Sequence, residues 1–375
     1  MLYTNAWVFL PDRGFVAGGI RVENGRFAEI LPPERREPGA VDCGGAKLIP
    51  GLVDIHTHGN SGADFSDGDA EGLRRMAAWS AANGVTSFCP TSMTLPYETL
   101  ATAFETAARL HAERPKGCAR VVGIHMEGPF FSEKKKGAQN AAYLRKPDFE
   151  AFRALYEGCG GLVRIADVAP ELEGAAAFTE RAKALCTVSV AHTDADYEQA
   201  RAVYEAGARH LTHLYNAMPP IHHRKPGVIG AASERGDVSA ELICDGLHVH
   251  PSAVRMAFRL FPGRICLISD SLRCCGMPDG EYELGGQQVF LNGGVARLAD
   301  GTIAGAASNL FQDLRNALAF GIDENEAIRA ATYNPARAIG LENEIGAIAP
   351  GLRADFLICD RELRLREVYI GGEKL

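Results

Sequence analysis

The stretch GLVDIHTH, residues 51–58, ends an apolar run in two histidines one residue apart. Side chains at i and i+2 of a β-strand point to the same side, so His56 and His58 are expected to aim their imidazoles at one point. Other apolar runs also end in polar residues: Glu127 in RVVGIHMEGP (120–129), His192 in TVSVAHTDA (187–195), His213 in RHLTHLYNAM (209–218) and Asp270 in ICLISDS (265–271). Four imidazole nitrogens and two carboxylates around one cavity are suitable ligands for Zn²⁺ or Fe²⁺. A hydrolytic metal site also needs a group that takes a proton from water and returns it to the leaving group, and Asp270 suits that role. His125 shares a face with Glu127 and reads as a supporting or packing residue. The basic loop IHHRKPG (221–227) follows His213 and offers Arg224, whose guanidinium can grip a phosphate bidentately.

Those residues are useful only if the chain brings them together. Strand-like runs begin near residues 51, 85, 120, 161, 187, 209, 240 and 265, with helical patterns such as 72–83, 97–113 and 197–207 between most of them. About eight strand–helix units predict a (β/α)8 TIM-like barrel, whose strand C-termini gather at one mouth. No GxGxxG follows a strand, which disfavours a doubly wound sheet. Both ends of the chain read as short strands and turns, with Asn24-Gly25 marking a hairpin, and neither is large enough to fold alone. The expected arrangement is one small β-sandwich domain built from residues 1–49 and 343–375, flanking a catalytic barrel over 50–342.

With 375 residues, 46% hydrophobic and 23% charged, the chain has ordinary globular composition. Its net charge of −8 argues against nucleic acid or an anionic membrane as partner, though not against a small anionic substrate met by a local basic cluster. The ten cysteines are scattered without a CxxC pair, several inside apolar runs, so free thiols are expected rather than a disulfide framework. No signal peptide is evident and no apolar stretch is long enough to span a bilayer, so a soluble, cytoplasmic protein is expected.

LIPGLVDIHTH with the later strand-end histidines and aspartate resembles the amidohydrolase superfamily. The stretches HMEGPFFSEKKKGAQN (125–140), HLYNAMPP (213–220), ICDGLHV (243–249), YELGG (282–286) and GTIAG (301–305) resemble, more narrowly, the N-acetylglucosamine-6-phosphate deacetylase family. That resemblance implies Glu127, His192 and His213 as ligands of the principal metal, and Asp270 as the catalytic aspartate. It implies substrate contacts from Ala138, Gln139, Asn216, Ala217, Asp245, His248, Ile303, Ala304 and Gly305, and from Arg224 either within its own chain or across a homodimer interface. It implies one or two divalent metals, zinc first and iron second, with His56 and His58 available for the second site. The expected reaction converts N-acetylglucosamine 6-phosphate to glucosamine 6-phosphate and acetate. The alternatives are a deacetylase of the galactosamine epimer or another N-acyl amino sugar, and a ligand-depleted amidohydrolase-fold scaffold.

Overall fold

The computed structural model describes residues 1–35 and 37–375. Eight parallel strands form the barrel: Leu52–Thr57, Val85–Pro90, the interrupted pair Arg120–Val121 and Ile124–Met126, Val163–Val168, Thr187–Val190, His210–Leu211, Ser239–Ile243 and Ile265–Ile268. The ring closes where the Asp270 amide donates to the His56 carbonyl and the His58 amide to that of Ser271, each at 2.9 Å. Strands buried on both faces need near-continuous apolar sequence, and Leu52–Thr57 and Val85–Pro90 are buried at every position.

Helices on the outside return the chain between strands. Asp69 caps the helix Ala70–Ala82 by accepting hydrogen bonds from two first-turn amides, and Asp196 forms a capping box with Gln199 at the start of Tyr197–Ala206. The helix expected over 97–113 is present as Tyr97–Glu113. Among the described residues, no helix is long and apolar enough to cross a membrane.

Both chain ends contribute to one seven-stranded sheet, in which Val41–Pro50 pairs with Leu2–Leu10 on one side and Phe356–Cys359 on the other. The Asn24-Gly25 turn joins two of its strands with both residues at positive φ (51° and 73°), as a tight hairpin requires. Rings of Tyr3, Phe27, Phe356 and Tyr369 meet at 4.4–6.0 Å although their strands are spread across the sheet. The sheet therefore curls around an apolar core of its own, separate from that of the barrel.

One element was not expected from the sequence. Residues between the eighth barrel strand and the helix Leu310–Ala319 form a four-stranded antiparallel sheet: Gly280–Leu284, Gln287–Asn292, Val295–Leu298 and Ile303–Ala306. Leu284, Val289, Leu291, Ala296 and Leu298 pack beneath it with Leu272 and Met93, so it stands against the barrel mouth.

Candidate active site

Glu127 directly follows a barrel strand, His192, His213 and Asp270 each stand two residues past the end of one, and His56 and His58 lie at the end of the first. The backbone is bent to aim three of them. His192, His213 and Asp270 have φ of 43°, 28° and 47°, in the left-handed region that residues with a Cβ rarely occupy. Such conformations persist where the surrounding structure holds them, and they cluster at functional sites.

The side chains converge on Glu127. Its Oε1 lies 3.0 Å from His192 Nε2, 3.1 Å from His213 Nε2 and 3.7 Å from His56 Nε2. Its Oε2 lies 3.2 Å from His58 Nε2 and accepts a 2.7 Å hydrogen bond from Gln139 Nε2. Asp270 Oδ1 stands 3.3 Å from His58 Nε2 and 3.5 Å from His56 Nε2. The six residues expected from strand endings are thus in one place.

The far side of each ring decides whether a metal fits. His58 Nδ1 faces the Thr91 carbonyl at 3.1 Å, and His192 Nδ1 faces that of Lys135 at 2.8 Å. His56 Nδ1 faces Glu241 Oε2 at 2.9 Å. A carbonyl or carboxylate only accepts, so the hydrogen of each neutral ring resides on Nδ1 and Nε2 presents a bare lone pair. His56 Nε2 is buried with no hydrogen-bond partner. The Nε2 atoms of His192 and His213 are 3.1 Å apart, close to the roughly 3.3 Å that separates two nitrogens bound tetrahedrally to one zinc.

The electrostatics agree. Burial opposes charge on His58, yet Asp270 and Glu127 outweigh it and raise its pKa well above the ordinary value. His213 rises to about 9, with Glu127 overcoming burial. Burial pushes Glu127 up, and His192, His213 and His58 more than reverse it, holding the carboxyl well below its usual range. A cage that draws positive charge this strongly fits a divalent cation. Two groups with Glu127 in common have ligand geometry: Glu127–His192–His213 and His56–His58–Glu127. A third, His56–His125–Glu241, is better read as a hydrogen-bonded support, because the Glu241 carboxylate already receives His56 Nδ1, His210 Nε2 and the His213 amide.

Above the cage is a cavity of about 310 Å³. Among the residues expected to contact a substrate, Ala138, Gln139, Asn216, Ala217, His248, Ile303, Ala304 and Gly305 line it. Gly305 belongs to the unexpected sheet, and a Cβ there would meet Leu272 Cδ2 at 2.8 Å, so only glycine allows this close approach. Asp245 lies behind the wall, with its Oδ2 2.6 Å from His248 Nδ1, which fixes the ring. His56 is also behind the wall, wholly buried.

Arg224 is not in the cavity of its own chain. It is exposed on a separate surface concavity beside Asp194, Glu198 and Glu234, with Nη1 2.7 Å from His223 Nε2. Met93, Gly137 and Thr302 line the cavity without having been singled out in the sequence. Glu241 and Asp167, also not foreseen, lie beneath it. Asp167 Oδ1 stands 3.0 Å from His125 Nε2, while His125 Nδ1 faces the Ile55 carbonyl at 3.1 Å, so His125 supports the site from below.

Comparison with known proteins gives a consistent result. The sequence model of the amidohydrolase family matches residues 48–375. An N-acetylglucosamine-6-phosphate deacetylase of Bacillus subtilis (strain 168) is 35% identical over 350 residues, covering 91% of this chain and 88% of the relative. An N-acetylgalactosamine-6-phosphate deacetylase of Escherichia coli O157:H7 is also 35% identical, covering 94% and 93%. The solved structure of an N-acetyl-D-glucosamine-6-phosphate deacetylase from Mycobacterium smegmatis, an aspartate-to-alanine mutant in complex with N-acetyl-D-glucosamine 6-phosphate, superposes with a TM-score of 0.92. It shares 34% identity and covers 100% of this chain and 98% of its own.

Proposed function

The chain belongs to the amidohydrolase family, and on that premise we propose that it hydrolyses the acetamide of N-acetylglucosamine 6-phosphate to glucosamine 6-phosphate and acetate. The observation that carries this reading is the convergence of four imidazole Nε2 atoms on Glu127, with Asp270 beside two of them, at the floor of a sugar-sized cavity.

In this reading Glu127, His192 and His213 hold the principal cation, and His56 and His58 with Glu127 offer a second position. Zinc suits the nitrogen-rich donor set best, with iron next. The bound cation supplies Lewis acidity, polarising the acetyl carbonyl and making water a competent nucleophile near neutral pH.

The remaining work falls to the chain. Burial pushes the Asp270 pKa up, but His56 and His58 outweigh it and hold it below the ordinary value, so the group enters the reaction as a carboxylate. Its Oδ1 takes the proton of the attacking water and then delivers it to the departing sugar nitrogen. Asp245 holds the His248 ring, which faces the cavity as a hydrogen-bonding group for the substrate or its developing oxyanion. Ala138, Gln139, Asn216, Ala217, Ile303, Ala304 and Gly305 are assigned to the sugar and its phosphate. Because Arg224 faces away from its own cavity, we assign it to the phosphate held by a second copy in a homodimer. The same reading divides the chain at 1–49, 50–342 and 343–375 and places the protein in the cytoplasm, where its ten free cysteines would remain reduced.

The galactosamine epimer is the second reading, favoured by the E. coli relative. A scaffold role would call for eroded ligand positions, and here all of them are filled. Acetate release from the two epimeric 6-phosphates, compared as kcat/KM, tests the assignment. The glucosamine reading expects the gluco substrate to lead by about tenfold or more, the scale of one differential polar contact. A lead for the galacto substrate would transfer the assignment to the epimer.

A further inference from the structure

The barrel has a second polar cavity at the opposite end from the mouth. It has a volume of about 500 Å³ and is enclosed by the N-terminal ends of barrel strands, the Asn24–Gly25 hairpin and the Gly371 turn. Five arginines line it: Arg26, Arg114, Arg120, Arg164 and Arg353, against a single carboxylate, Glu344.

Two of these guanidiniums are engaged. Arg353 is paired with Asp355 at 2.6 Å and donates to Ser87 Oγ, and Arg26 donates to the Gly351 carbonyl. The other three, Arg114, Arg120 and Arg164, have no hydrogen bond or ion pair among the described residues. Nε of Arg164 is buried without a partner. The Arg164 stem is held close against Gly123, where a Cβ would lie 2.2 Å from its Cγ, so the glycine makes room for the arginine. Arg120 reaches across to the small domain, its Nη2 lying 3.4 Å from where a Cβ on Gly371 would stand. Burial lowers the Arg120 pKa, the charges of Arg353 and Arg114 lower it further, and Asp355 offsets this only in part.

Several like charges crowded into a concave site in a protein of net charge −8 destabilise one another unless an anion joins them. The guanidinium fork grips phosphate and carboxylate oxygens alike, and a phosphate ester, with its greater charge, answers three clustered cations better than a single carboxylate does. We infer that the floor of the barrel, between the strand starts and the terminal β-domain, binds a phosphate-bearing small molecule through Arg120, Arg164 and Arg114. The cavity is larger than the catalytic one, so it has room for a phosphate ester as well as for inorganic phosphate. This assignment does not depend on what the mouth hydrolyses.

Isothermal titration of the metal-loaded protein with inorganic phosphate and with ribose 5-phosphate, at ionic strength held constant with chloride, tests it. Arg120→Gln and Arg164→Gln are each expected to weaken binding at least tenfold while leaving acetate release within about twofold. Any phosphate binding at the mouth is common to all these proteins, so the difference between them isolates the floor. Arg114→Gln, at the exposed edge, is expected to weaken binding severalfold even if the two half-buried variants fold poorly. Loss of binding for both probes identifies the free anion as sufficient, and loss for ribose 5-phosphate alone identifies an ester site. Superimposable titrations of wild type and Arg114→Gln, or no binding beyond the chloride control, would overturn the inference.

Discussion

Glu241 holds His56 from below: its Oε2 accepts a 2.9 Å hydrogen bond from Nδ1, leaving the opposite nitrogen of His56 bare toward Glu127 and Asp270. The same carboxylate takes His210 Nε2 at 3.1 Å and the His213 amide at 3.1 Å, so one buried group orients two strand-end histidines. Burial pushes the Glu241 pKa up, but His56, His210 and His125 more than reverse this and keep it ionised. Glu241→Gln replaces an acceptor with an amide that cannot serve all three donors. The expected result is about 10–100-fold weaker metal retention, the usual scale for a residue that orients a ligand. Dialysis against graded chelator, read by elemental analysis, measures it; unchanged retention would reduce Glu241 to a packing role.

Asp270, the proposed proton carrier, stands beside the cage and belongs to neither of the two ligand groups around Glu127. Asp270→Asn is expected to lower kcat by about 10²–10⁴-fold while metal per chain and substrate affinity stay close to wild type. Parallel metal analysis and single-turnover kinetics distinguish this from a collapsed site.

The outward position of Arg224 predicts complementation between subunits. Arg224→Ala alone is expected to raise KM for the phosphorylated substrate by about tenfold or more. Refolding it together with Asp270→Asn is expected to restore turnover, because a mixed dimer contains one site with an intact aspartate and an intact partner arginine. No gain over the separate variants would place the action of Arg224 within its own chain, and an unchanged KM for Arg224→Ala would place it outside the site.

Asp313, which belongs to none of the ligand groups, gives a separate pH dependence. It is wholly buried, accepts one hydrogen bond from Ser308 Oγ at 2.9 Å, and its Oδ2 has no partner. Burial, only partly offset by Ser308, raises its pKa well above the ordinary carboxylate value. The folded state therefore holds this proton more tightly than the unfolded state. Its unfavourable contribution is absent below the unfolded-state pKa and grows as pH rises toward the folded-state value. Asp313→Asn removes that dependence, so its Tm advantage is expected to reach about 2 °C or more at pH 8 and to shrink at pH 5. Thermal unfolding across that range, with metal saturating, checks the sign.

The gathering of these side chains could be read from sequence because each candidate ligand closes an apolar run. In a parallel barrel, strand interiors must be apolar and strand ends must turn polar, so His56, His192, His213 and Asp270 stand out against what precedes them. Glu241 and Asp167 escaped because they lie inside strands, within Ser239–Ile243 and Val163–Val168. A lone acid in a buried strand was the available signal, since such a group persists only when paired. The sheet over 280–306 was missed for a different reason. Its strands are short and largely exposed on one face, and the alternation of Val289 with Leu291 and Ala296 with Leu298 around Gly293-Gly294 is a local hairpin signal only. The direction of Arg224 could not be read at all, because loop residues carry no periodicity that fixes where a side chain points.

On the proposed reading, the cage around Glu127 binds a divalent cation on which deacetylation depends. The most direct measurement is acetate release from N-acetylglucosamine 6-phosphate by one preparation in three states: as purified, after chelation, and after zinc is restored, with metal per chain determined in each. Chelation is expected to lower kcat/KM by at least about 10³-fold, and restoring one to two zinc ions per chain is expected to recover it. Full activity in protein shown to be free of metal would contradict this reading.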